Sequence, residues 1–150
     1  MSHDSSDIDA ALVTKLGSDA ALLALCPNGV YVDEAPQGMT KFVIVSLVDE
    51  SDEAVFGGRA IEDALYLVEA RMQSTAGGNI KAAAARIDAL LEDQPLLAPG
   101  SPASNVAGYV WMTTYRESRV RQTEVDAVDP SFRWYRRGGN YRVQMSVTGA

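Results

Sequence analysis

Phe42-Val43-Ile44-Val45-Ser46-Leu47-Val48 is the stretch on which the fold turns. It is rich in β-branched residues and almost continuously apolar, which predicts a strand central in its sheet and covered on both faces. On its N-terminal side, Val30-Tyr31-Val32 reads as a short strand, and Asp33 to Gly38 as a loop. Further back, Asp7 is placed to cap a short helix with Ile8, Leu12 and Leu16 on one face, closed by Gly17. Ser18 is placed to cap a second helix, Asp19 to Cys26, which Pro27-Asn28-Gly29 stops.

On the C-terminal side the run Asp49-Glu50-Ser51-Asp52-Glu53 is predicted to be a mobile, solvated loop that reaches Gly57-Gly58. Asp49, Glu50, Asp52 and Glu53 are the candidate residues of an assembly loop. A calcium loop would need a turning glycine within the run, and there is none. Ala60 to Met72 mixes helix formers with an alternation in which Tyr66, Val68, Ala70 and Met72 share one face, and is predicted to be a strand. Asn79 is placed to cap a helix to about Glu92, with Ile80, Ala83, Ala84, Ile87, Leu90 and Leu91 in one stripe. Pro95, Pro99 and Pro102 make 93–105 a loop. Val106 to Arg116 reads as a strand, and Glu117 to Pro130 as either its extension or an arm. Gly138-Gly139-Asn140 reads as a hairpin turn between strands 132–137 and 141–147.

This order predicts an α+β fold: a mostly antiparallel or mixed sheet with helices packed on one face. At 150 residues the chain is expected to hold one small domain, 7–148, after a disordered tail, 1–6. No apolar run approaches the roughly 18 residues of a membrane-spanning helix, and the opening MSHDSSDIDA lacks the apolar stretch of a secretory signal.

The reactive inventory is thin. His3 is the sole histidine and Cys26 the sole cysteine. Zinc sites and nucleophile–histidine devices both need more, so no metal, no cofactor and no catalysis are expected. Cys26 reads as a small buried hydrophobe. Glu62 and Asp63 are adjacent in a strand and point to opposite faces, so they cannot converge as a carboxylate pair.

Charge is divided along the chain. Residues 1–110 hold sixteen acids against six Lys/Arg, a net of −10, while 111–150 hold four acids against seven arginines, a net of +3. Arg116, Arg119, Arg121, Arg133, Arg136, Arg137 and Arg142 are the candidate subunit-interface residues. Guanidinium forks suit carboxylate recognition, and an acidic front with an arginine-rich back allows copies to pair head to tail. A solvated mixed-charge surface is the simpler alternative. An overall charge of −7 argues against a free nucleic-acid binder.

Several stretches together resemble the tail terminator, or tail-completion, proteins of long-tailed bacteriophages. They are Ala20-Ala21-Leu22-Leu23-Ala24-Leu25 followed by Val30-Tyr31, the Ala35-Pro36 loop before Phe42–Val48, the helix Ile80–Leu91 with Leu96-Leu97 in its exit loop, and the closing Tyr141-Arg142-Val143. The resemblance covers roughly residues 7–148. It implies a virion protein with no catalytic residues, a homo-hexameric ring at the head-proximal end of the tail tube, in the neck region, assembled in the host cytoplasm. Its partners would be further copies of itself, the tail tube protein and a head-completion or connector protein, with DNA passing through the ring unread and no membrane involved. A head–tail connector and an unrelated non-catalytic α+β binding domain are the alternatives.

Overall fold

A computed structural model describes residues 6–55, 58–74 and 78–147, with the backbone alone for Ser6, 52–55 and 58–60. Its elements run α1 (Ser6–Gly17), α2 (Ala20–Leu25), β1 (Val30–Val32), β2 (Lys41–Val55), β3 (Gly58–Ser74), α3 (Ile80–Leu91), β4 (Tyr109–Val125) and β5 (Arg133–Val147). Most of the expected N-terminal tail, 1–5, lies outside the described residues, as do Gly57 and Thr148, and Ser6 opens α1.

Two long antiparallel hairpins, β2–β3 and β4–β5, join through β3 and β5. Short β1 adds in parallel to β2, so the five-stranded sheet is mixed, in the order β1-β2-β3-β5-β4. Strict alternation along β3 buries Ala64, Tyr66, Val68, Ala70 and Met72 on one face. Opposite them in register stand Val43 and Val45 of β2, and Tyr141 and Val143 of β5. The helices cover this face with Ile8, Leu12 and Leu16 from α1, Leu22 from α2, and Ile80, Ala83, Ile87 and Leu91 from α3. Each large side chain buried here contributes about 1.5–3 kcal/mol. The α+β class and the one-sided helix layer are as the sequence predicts.

Polar ties fix the helices to that layer. Tyr66 donates its hydroxyl hydrogen to Asp9 of α1 at 2.5 Å, and Tyr141 donates to Asp88 of α3 at 2.9 Å. Asp19, not Ser18, caps α2: its Oδ2 accepts from the Leu22 N–H at 2.9 Å. Arg86 of α3 then grips both Asp19 oxygens, at 2.8 and 2.6 Å. Gly17 is the last helical residue of α1, and Asn79 holds the N-cap position of α3 without a side-chain capping bond.

Three expectations are corrected. First, the acidic run 49–53 is not a loop. It is the second half of β2, with Asp49 opposite Leu65, Glu50 opposite Ala64, Asp52 opposite Glu62 and Glu53 opposite Ile61. A bulge at Val48 precedes it. The low strand propensity of acids is overridden because β3, anchored on its far side by β5, offers a full ladder of backbone partners. Second, Gly138-Gly139-Asn140 is not a turn but the middle of an unbroken β5. A Cβ on Gly138 would stand 2.1 Å from the Val68 carbonyl oxygen, and one on Gly139 would stand 2.9 Å from that of Ser118. Glycine is there because neighbouring strands approach too closely for a side chain. Third, β4 begins at Tyr109 rather than Val106; it runs on through 117–125, in line with the extension offered as one alternative for 117–130, and the turn between β4 and β5 is 126–132.

The apolar stretch 42–45 is buried throughout, with Phe42 and Ile44 on the face away from the helices. Phe42 packs edge-on between Tyr31 and Trp134, at ring-centroid distances of 6.5 and 6.0 Å. Leu47 and Val48 emerge at 40% and 55% exposure, beyond the part of β2 that β1 pairs.

Candidate interaction surfaces

The arginines divide into two groups. Arg136 and Arg142 lie on the outer face of β5 and each bridges an acid on β3 to an acid on β4. Arg142 reaches Asp63 at 2.6 Å and Glu117 at 2.8 Å. Arg136 reaches Glu69 at 2.8 Å and Glu124 at 3.4 Å. Arg136 and Arg142 are six residues apart, as are Asp63 and Glu69, whereas Glu117 and Glu124 are seven apart. The bulge between Arg116 and Ser118 supplies the extra residue and turns Glu117 toward Arg142. Arg116 pairs with Asp88 at 2.6 Å, and its backbone N–H donates to Glu92. The Asp88 carboxylate beside Arg116 and the Asp63 carboxylate beside Arg142 each raise the guanidinium pKa further. These three arginines therefore spend their donors within the subunit.

Arg119, Arg121 and Arg137 make no ion pair with a described residue. With Lys81, at the start of α3, they rim a groove of about 380 Å³ between α3 and strands β4 and β5. Its lining includes Ala84, Ala85 and Gly138, all small. Asp88 also lines it, but that carboxylate already serves Arg116 and Tyr141. Arg133 is exposed at the start of β5, away from this groove.

The acidic candidates sit at the opposite edge of the sheet. Asp49 is exposed and Glu50 half-buried on the part of β2 that β1 leaves uncovered, and Asp52 and Glu53 continue the same strand. The structure thus gathers the acidic candidates at one side of the sheet and the four cations of the groove, on α3, β4 and β5, at the other.

Two residues that carry structure at this surface were not singled out by the sequence. Glu69 is wholly buried on the outer face, held by Arg71 and Arg136. Asp126 organises the β4–β5 turn: it accepts from the backbone N–H groups of Val128 at 2.8 Å and Asp129 at 3.1 Å, from Trp134 Nε1 at 3.0 Å and from Gln73. Those two backbone donors, with the Gln73 and Trp134 side chains, hold its pKa below the ordinary aspartate value. Asp126 followed three residues later by Asp129 and then Pro130 was the available signal, an Asx turn before a proline. Glu62 and Asp63 face opposite sides of the sheet, as alternation requires, with Glu62 buried on the helix side. Cys26 is buried, and burial pushes its thiol up to about 11. Among the described residues no three His, Cys, Asp or Glu side chains come together as a metal site.

No protein-family model matches the chain, and no curated protein matches it. Solved structures do share the fold. A chain from the virion of a native gene transfer agent particle is similar over 93% of this chain and 94% of its own, at 20% identity and a TM-score of 0.59. A second solved chain is similar over 99% of each, at 13% identity and a TM-score of 0.54.

Proposed function

We propose that this protein is a structural component of a phage or phage-like virion. It forms a homo-hexameric ring at the head-proximal end of the tail tube, ends tube polymerisation and presents the surface that joins the tail to a head-completion or connector protein. The observation that carries this reading is the end-to-end similarity to a chain from a gene transfer agent virion, together with the tail-terminator resemblance of the sequence. The charge layout supports it. A closed ring needs a heterologous interface, in which two different patches of one subunit meet, and the acids of β2 and the cations of the groove lie on opposite sides of the subunit's sheet. The protein acts by stoichiometry rather than catalysis, needs no metal, and lets DNA through without reading its sequence. It belongs to the neck of the finished particle and assembles in the host cytoplasm.

Capping tests this role. Purified protein added to polymerising tube protein should stop growth at about one ring per tube end. Tubes that grow to the same lengths with and without it would contradict the reading.

A further inference from the structure

We infer that the basic groove between α3 and β4–β5 receives the acidic half of β2, Asp49 to Glu53, from the next copy of this chain. The inference rests on the ring assembly proposed above and names the contact that builds it. Lys81, Arg119, Arg121 and Arg137 converge on the groove without a carboxylate partner among the described residues, and the Asp88 carboxylate in its wall is already occupied. Four cations held close together repel one another, so an anionic occupant relieves that repulsion as well as adding its own pairing.

The chain's own β2 acids, Asp49 and Glu50, cannot reach this groove. Strands β3 and β5 stand between β2 and β4, a separation of about 14 Å across the sheet. Through the register, Glu50 lies level with Ala64, Val143 and Thr114. Arg119 to Arg121 are five to seven residues further along β4, about 20 Å away. A second copy faces no such limit. Its β2 projects beyond β1 with one edge unpaired, and Asp49 and Glu50 make no ion pair with a described residue. The small lining residues Ala84, Ala85 and Gly138 let an extended backbone lie close while Lys81, Arg119, Arg121 and Arg137 take its carboxylates. Contact between two different patches of identical chains is the geometry that closes rings.

The test is charge exchange. R121E/R137E reverses the groove and D49K/E50K reverses the strand; circular dichroism checks that each variant folds. Each alone should associate on the order of a hundredfold more weakly than the natural chain in sedimentation. An equimolar mixture should associate again, because native strands meet native grooves and reversed strands meet reversed grooves. Should R121E/R137E fail to fold, K81E/R119E probes the same rim from exposed positions. If rings form normally with the groove reversed, this contact is wrong and the ring assembly stands. If the mixture associates while the natural chain never closes a ring, the contact stands and the ring assembly falls. If the groove variant alone loses association and the mixture does not recover it, the occupant is not this strand. Groove-dependent binding of a DNA duplex, with association unchanged, would assign the groove to phosphate and also overturn the inference.

Discussion

Two donors of Arg136, Nε and Nη2, meet the same oxygen of Glu69 at 2.9 and 2.8 Å, and the Glu69 side chain is completely buried. Of the two neighbours Arg136 and Arg137, the first is therefore tied into the fold, while the second makes no ion pair with a described residue. Arg136→Ala should cost about 2–3 kcal/mol in urea denaturation, because it leaves a buried carboxylate with Arg71 alone. Arg137→Ala should stay within about 0.5 kcal/mol. Equal, small effects would show that the Glu69 pairing adds nothing to stability.

Gly138→Ala tests the close approach of β5 to β3. The new methyl group would meet the Val68 carbonyl oxygen at 2.1 Å, and backbone cannot rotate aside as a side chain can. A loss of about 1–3 kcal/mol is expected. Gly139→Ala, with its nearest atom at 2.9 Å and flexible Arg116 atoms at 3.2 Å, should cost less. The reverse order in thermal melts would contradict this account of the strand spacing.

Asp126→Asn should lower the melting temperature in a pH-dependent way. The Asp126 pKa is depressed in the folded state below its ordinary 3.8, chiefly by the Asp129 and Val128 N–H groups. A depressed carboxylate contributes stability above the unfolded value and loses it as pH falls through the lower folded value. The natural chain and D126N should therefore differ most above about pH 5 and converge as the pH falls through the depressed folded value. A difference that is constant from pH 7 to pH 2.5 would exclude this cause.

Cys26 should resist thiol reagents at pH 8 in the folded protein and react fully in denaturant, since burial both blocks access and keeps the thiol protonated. Rapid labelling of the native chain would show that the α2–β1 junction opens readily.

Where local patterning and tertiary context agree, the sequence is readable. The α1 stripe Ile8–Leu12–Leu16 and the alternation of Tyr66, Val68, Ala70 and Met72 bury the residues that periodicity selects, and of the α3 stripe Ile80, Ala83, Ile87 and Leu91 are buried while Ala84 and Leu90 are half-buried. The failures share one cause. Asp49–Glu53 and Gly138–Gly139 have poor strand propensity, and both are strand because a neighbouring strand dictates it. Nothing local to Gly138 reveals that Val68 lies against it. The candidate surface was partly legible in the same sense. The charge division along the chain became a division across the sheet, but separating Arg116, Arg136 and Arg142 from Arg119, Arg121 and Arg137 required knowing which strand faces each guanidinium.

The most direct test of the proposed function is electron microscopy of particles made in a host that lacks this protein. Without the ring, tubes should run to uncontrolled lengths or, at normal length, fail to join heads, and supplying the protein should restore both. Tails of normal length attached to full heads in its absence would contradict a terminating ring.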